Sequence, residues 1–223
     1  MAKSVEGVAI GAPLVIVLSS PLYWDDAKVE LMRRDRIMRK LIPQFGDLQL
    51  MGRGEPFTTL ARSIVGQQIS VKAAQAVWDR FARLPSDMTP DGVLKLRVDD
   101  MRAAGLSARK VEYLVDLSIH FNSGAVHIDA WQDMTDEMIV EELVAIRGIG
   151  RWTAEMFLIF NLLRPNILPL DDVGLLRGIS VNYFSGEPVS RSDAREVAAN
   201  WEPFRTVATW YLWRSLEPVP VEY

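Results

Sequence analysis

The sequence contains no cysteine. Disulfides, thiolate zinc sites and cysteine-ligated iron–sulfur clusters are therefore excluded, and the composition fits a reducing compartment. The expected location is cytoplasmic or otherwise intracellular. Histidine is nearly as scarce. His120 and His127 stand seven positions apart, at a helix end and in a loop, and do not make a metal site by themselves. Long apolar runs are missing too: Val8 to Leu18 is interrupted by Gly11 and Pro13 and is too short to span a bilayer. It reads as an extended segment packed on the body, and no membrane partner is expected. Strand signals are nearly absent beyond Val15 to Leu18, and no internal repeat or low-complexity stretch occurs. Positive charge is not in excess, with 25 Lys and Arg against 29 Asp and Glu and a net charge of −4. Bulk attraction to a polyanion is thereby disfavoured, whereas a local basic or amide-rich patch stays compatible.

What the chain does have is length for a core and helical periodicity. Its 223 residues, 49% hydrophobic, suit one domain or two intimate subdomains. Asp25 and Asp26 precede an amphipathic run through Lys40, with Val29, Ile37 and Leu41 on one stripe. Pro56 opens a helix whose Phe57, Leu60, Ala61, Ile64 and Val65 recur at spacings of three and four. Ser70 caps a segment reaching Phe81, and Ser107 caps another with Val111, Leu114, Val115 and Ile119 on its stripe. Thr135 starts a helix ending near Ile146, Ser190 and Asp193 form a capping box, and Pro203 opens a last helix running to about Leu216. The fold class is all-α, with about ten helices.

Three stretches carry candidate chemistry. In Leu143-Val-Ala-Ile-Arg-Gly-Ile-Gly-Arg-Trp-Thr-Ala154 one helix ends, glycines occupy 148 and 150, and an apolar helix starts at once. Glycines let a backbone turn tightly and approach another surface closely. The amides and dipole of the following helix favour an anion such as a phosphate, and Arg147 and Arg151 add charge at the same spot. An ordinary glycine-capped corner would look similar. In Pro169-Leu-Asp-Asp-Val-Gly-Leu-Leu-Arg177, Asp171 and Asp172 taken alone are N-caps. Asp172, however, follows Gly150 by 22 positions, across the apolar segment Trp152 to Leu163. That segment is expected to be buried and to span about 18 Å. A phosphate-gripping turn and a carboxylate can then face one cleft. In Ile64-Val-Gly-Gln-Gln-Ile-Ser70, two glutamines interrupt an apolar helix before a cap. They are either solvated or aimed as a wedge into a duplex from which a base has been extruded.

Gln67-Gln68-Ile69-Ser70, the Ile146 to Ala154 hairpin and Leu170 to Arg177 occur in an order and spacing that resemble the helix-hairpin-helix DNA glycosylases with a glycine/proline-rich loop and an aspartate. The branch it looks like is the 3-methyladenine DNA glycosylase II family, which Gly105 to Leu114 also resembles, and the likeness spans residues 22 to 216. The resemblance implies an all-α fold of two helical subdomains flanking a cleft. One is built from 22–56 and 164–223, the other from 57–163 with the hairpin, after an extended segment over 1–21. It implies Asp172 as the catalytic aspartate, with Asp171 a cap or supporting group, and Trp152, Trp213 and Met156 at the base pocket. Gln68, or Gln67, becomes the wedge, and Arg147, Gly148, Ile149, Gly150, Arg151 and Thr153 contact DNA. The carbonyls of Val144, Ile146 and Ile149 become ligands for a structural Na+ or K+ that bridges to a phosphate, and no other cofactor is required. Two positions depart from the pattern: Arg147 replaces a usual proline, and Met156 an aromatic sometimes found there.

The implied function is that of a monomeric, monofunctional enzyme. It would flip alkylated bases such as 3-methyladenine out of duplex DNA and hydrolyse the N-glycosidic bond, which begins base excision repair. Two alternatives compete with this reading. A bifunctional glycosylase/lyase needs an imine-forming lysine, which lyase relatives place where Trp152 stands. A helix-hairpin-helix protein that only binds DNA needs no carboxylate at the position of Asp172.

Overall fold

The computed structural model describes residues 20–216. The sequence readings at Val8 to Leu18, and most of the 1–21 segment, lie outside the described residues. Among the described residues there is no strand, and twelve α-helices account for most of the chain. They are α1 (Trp24–Arg34), α2 (Arg36–Leu41), α3 (Pro56–Gly66), α4 (Val71–Phe81), α5 (Pro90–Leu94) and α6 (Val98–Ala103). There follow α7 (Ala108–Asn122), α8 (Asp136–Val144), α9 (Arg151–Phe160), α10 (Val173–Tyr183), α11 (Arg191–Ala198) and α12 (Arg205–Leu216). No described helix is long and apolar enough to cross a membrane.

Capping chemistry sets most boundaries. Ser70, Ser107 and Thr135 each accept the N–H three residues on, and Ser190 with Asp193 closes a capping box. Elsewhere the sequence reading is corrected. The run from Asp25 to Lys40 is two helices, because Asp35 leaves helical geometry and caps α2 through Ile37 N and Met38 N. The buried stripe is then Trp24, Ala27, Leu31, Met38 and Leu41, while Val29 is exposed. On α7 Ile119 is also exposed, and Leu117 with Ser118 completes the inner face. The short α5 and α6 went unread because five or six residues hold too little of a helical period to register. α8 stops at Val144, and α12 begins at Arg205, with Pro203 two residues ahead of it after a cis Glu202–Pro203 bond.

Helix contacts fall into two groups. α3 packs on α4, α7 and α9, with α5 and α6 against α7 and α8 against α9. In the other group α12 packs on α1, α2 and α10, with α11 against α10. A close seam joins α10 and α12. A Cβ on Gly178 would come within 2.9 Å of Leu212 Cβ and 3.1 Å of its carbonyl, so only glycine admits this approach. The loop between α9 and α10 is tied to the start of α12. Thr206 Oγ1 donates to Arg164 O at 2.6 Å and accepts from Ile167 N at 3.0 Å.

Asp35 anchors the second group from inside. It is 6% exposed, and its Oδ2 accepts from Tyr183 Oη at 2.8 Å and from Trp201 Nε1 at 3.1 Å. Asp35→Ala strands two donors in the core and removes a cap, so a loss of about 3 kcal/mol or more is expected. Denaturant unfolding checks this, and a loss below about 1 kcal/mol would show that the donors find other partners.

Candidate active site

Asp172 is both the N-cap of α10 and the meeting point of three chain segments. Its Oδ1 accepts from Leu175 N at 2.6 Å and from Trp213 Nε1 at 2.8 Å, and its Oδ2 accepts from Trp152 Nε1 at 2.9 Å. A carboxylate offers about four acceptor positions, so one on Oδ2 stays open beside Trp152. Indole nitrogens donate and have no lone pair to accept with, which leaves these two partners unable to take up a proton. Asp172 is half-buried, whereas Trp152 is 42% exposed, so the pair borders solvent. Asp171, beside it, is exposed and pairs with Arg191 at 2.5 Å; the cap is Asp172, not Asp171.

Trp213, placed at the base pocket by the sequence, is supported around Asp172 by residues the sequence did not single out. Trp213 stacks on Phe160 with ring centroids 5.7 Å apart and planes 13° from parallel. Arg53 covers Phe160, its guanidinium carbon 4.2 Å from the ring centroid. The loop holding Arg53 is fixed to the end of α9 by Arg53 N to Phe160 O at 2.8 Å and by Asn161 Nδ2 to Gly54 O at 3.0 Å. On α10, a Cβ at Gly174 would sit 3.0 Å from Asp172 Oδ1 and 3.1 Å from Trp213 Nε1. With Gly178 one turn on, it forms the small-residue face that lets Trp213 reach the carboxylate. That pairing was visible in the spacing of four, had the glycines been read as a packing face. Met156 lies one turn after Trp152, half-buried against the core.

The hairpin follows the sequence reading in backbone and departs from it in charge. α8 and α9 are joined through Gly148, at φ +88, and Gly150. Tyr113 underlies the turn, because a Cβ on Gly148 would fall 2.1 Å from that ring. A Cβ on Gly150 would meet nothing within 4 Å, which leaves open ground for another surface. Like α1 and α6, α9 starts with no side-chain cap, here at Gly150, so its first amides keep their donors for an outside acceptor. Thr153 is buried, so of this residue only the amide can serve there. Among the described residues no hydrogen bond reaches the carbonyls of Val144 and Ile149, while that of Ile146 accepts from Ile149 N at 3.1 Å.

The arginines, by contrast, are already matched by carboxylates. Arg147 pairs with Glu112 at 3.0 Å, and its N–H donates to Asp116 Oδ2 at 2.8 Å. Arg151 holds both oxygens of Glu137, at 2.8 and 2.7 Å, and reaches Glu155 at 3.0 Å. Burial pushes the Glu155 carboxyl up and Arg151 pulls it down, while the hydrogen bond from Arg151 holds Glu137 below the usual range. The net-positive spot expected from Arg147 and Arg151 is therefore locally balanced. Gln67 and Gln68 also separate: Gln67 Nε2 donates to Gly148 O at 2.8 Å, whereas Gln68, at φ +58, is exposed. Neither histidine joins the site, since His127 bonds Glu142 and His120 bonds Asp116 O, and no metal-binding cluster of acidic, His or Cys side chains occurs among the described residues.

Comparison with known proteins fits this geometry. Residues 61–203 match the model of the HhH-GPD superfamily of base excision DNA repair proteins. The chain is 31% identical over 196 residues to DNA-3-methyladenine glycosylase 1 of Schizosaccharomyces pombe, covering 85% of this chain and 86% of that one. The structure superposes on a DNA-3-methyladenine glycosidase of Bacillus halodurans with a TM-score of 0.80 and 35% identity, over 85% and 89% of the two chains. It superposes on a Schizosaccharomyces pombe 3-methyladenine DNA glycosylase bound to abasic DNA with a TM-score of 0.75 and 30% identity, over 88% and 100%. By its helical architecture, its glycine hairpin and the extent of these matches, the chain belongs to the HhH-GPD superfamily of base excision DNA repair proteins.

Proposed function

We propose that this chain is a monofunctional DNA glycosylase that excises alkylated bases, 3-methyladenine and related lesions, from duplex DNA and so initiates base excision repair. The observation that carries the reading is Asp172, fixed by two indole N–H groups at the border with solvent, with one of those indoles in the first turn of a helix that starts uncapped. A base leaving deoxyribose builds positive charge at C1′, and a carboxylate held beside that carbon stabilises the charge. Its open Oδ2 position orients a water and takes up one of its protons, while the water's oxygen bonds to C1′ as the glycosidic electron pair departs with the base. That pair neutralises an alkylated purine which already carries positive charge. No acid is then needed to protonate it, in keeping with a site whose other hydrogen-bonding partners are indoles.

The lesion would enter between the two helical groups, against the exposed indole of Trp152 and the half-buried Met156. An electron-rich indole face favours a cationic base. One face of Trp213 is already taken by Phe160, so Trp152 is the more available stacking surface. Gln68 fills the gap in the duplex. The amides after Gly150 hold a phosphate, and the carbonyls of Val144, Ile146 and Ile149 would hold a Na+ or K+ that supplies positive charge beside it. Because Arg147 and Arg151 are balanced by acids, this grip rests on backbone dipoles more than on side-chain charge. A lyase would need an amine at the sugar, and the groups bonded to Asp172 include none.

Release of 3-methyladenine from methylated duplex DNA tests the reading. Wild type should release the free base, Asp172→Asn should lose about a thousandfold or more, and Asp171→Asn should stay within about tenfold of wild type. Equal losses in the two variants would refute the assignment of Asp172.

Trp152 separates the two enzymatic readings. Borohydride should trap no covalent protein–DNA adduct, and the strand should stay intact after base release; adduct in good yield would mean a lyase. Trp152→Phe keeps a ring and deletes the donor to Asp172, so excision should slow about tenfold or more. If Trp152→Phe excises like wild type, the bond to Oδ2 contributes nothing to the reaction.

A further inference from the structure

We infer that Gln67 is a positioning residue: it ties the wedge loop to the hairpin so that the phosphate grip and Gln68 meet the duplex as one rigid unit. The inference rests on the function proposed above and goes beyond it in giving the two adjacent glutamines different tasks. Both follow α3, and the sequence alone made either one a wedge. Gln67 is half-buried, and its Nε2 donates to the Gly148 carbonyl at 2.8 Å across 81 positions of chain. A glutamine that merely ended a helix would leave its amide to water. Gln68 takes the left-handed conformation at φ +58, a backbone geometry unfavourable for a residue with a Cβ, and is exposed. The chain thus turns so that one glutamine faces the hairpin and the next is offered outward.

Both ends of the tether are braced by α7. Lys110 Nζ donates to the Val65 carbonyl at 2.7 Å, holding the last turn of α3. Tyr113, three residues on, lies beneath Gly148, leaving no room there for a Cβ. Asp116, three residues further, accepts Arg147 N at 2.8 Å, and Glu112 takes the Arg147 guanidinium. Residues three apart share a helix face, so one side of α7 carries the wedge loop at its start and the hairpin one and two turns later. Gln67 closes this frame by a direct bond between the two parts that α7 supports. Its oxygen has no hydrogen-bond partner among the described residues, which leaves the donor as the working end.

The test needs no catalysis. Wild-type chain is titrated with a duplex holding a tetrahydrofuran abasic-site analogue opposite 2-aminopurine, and with the same duplex undamaged. A wedge that fills the gap gives a preference for the abasic duplex and a change in 2-aminopurine emission. Gln67→Met keeps the length and loses the donor, and should reduce that preference about fivefold. Gln67→Glu, which sets a carboxylate against the carbonyl, should do the same, and thermal unfolding should show both variants folded. Gln68→Ala should lose at least as much, and Gln67→Met added to it should cost nothing more, because the tether acts through the wedge. Unchanged preference in both Gln67 variants, or losses that multiply in the double variant, would overturn the inference. Selective abasic binding by a wild-type chain that releases no methylated base refutes the glycosylase reading and leaves the tether standing. A wild type without abasic preference refutes the wedge, and the tether's role with it.

Discussion

Asp172 accepts hydrogen bonds from its own helix, from Trp152 on α9 and from Trp213 on α12, and the surrounding architecture can be traced back to keeping those three donors together. Trp213 reaches it only because Gly174 and Gly178 leave α10 bare on the side facing α12. Its ring is held from behind by Phe160 and, beyond that, by Arg53. Trp152 reaches it because α9 begins immediately after the hairpin, so the turn that would grip a phosphate also aims the indole. Displacing α9 relative to α12 would therefore disturb the carboxylate and the backbone grip together. A group preorganised this way does its electrostatic work without reorienting during the reaction, which is where such sites gain most of their rate.

The acidic balance of the chain is consistent with this arrangement. A protein of net charge −4 whose hairpin arginines are matched by Glu112, Glu137 and Glu155 does not present a cationic surface there. What it presents is an uncapped helix start, an exposed glycine and carbonyl oxygens without hydrogen-bond donors among the described residues. On the proposed function those groups would recognise a phosphate by geometry and discriminate little between sequences. The buried Glu155, with one oxygen lacking a hydrogen-bond partner, holds Arg151 along the helix rather than letting it reach outward.

Much of this was legible in the residues. Caps at Ser70, Ser107, Thr135 and Ser190 could be read because each carries a local signal within four positions. Asp172 could be singled out because its distance from Gly150 matched one buried helix, although α9 ends at Phe160 and spans about 15 Å rather than reaching Leu163. Other features were hidden by their nature. The break at Asp35 looked like one more polar position on an amphipathic run, since its partners Tyr183 and Trp201 lie about 150 positions or more away. Glu112 and Asp116 lie 35 and 31 positions from Arg147 and Glu137 lies 14 from Arg151, so arginine at a hairpin read as net positive charge, although Glu155, four positions after Arg151, was a local signal that went unread. Trp152 and Trp213 were placed at the base pocket by resemblance, and that both indole N–H groups donate to Asp172 carried no signal in the sequence. The stack of Arg53, Phe160 and Trp213 joins three segments that no periodicity connects.

The central claim is that Asp172, held by two indoles, stabilises positive charge on the sugar. It is tested most directly by comparing binding of two duplexes, one with a cationic pyrrolidine ring in place of the sugar and one with neutral tetrahydrofuran. A site complementary to the charged transition state should hold the cationic ring about a hundredfold or more tightly than the neutral one, and Asp172→Asn should abolish that excess while still binding the neutral duplex. Equal affinity of the wild-type chain for the two rings, or an excess that survives in Asp172→Asn, would contradict the account.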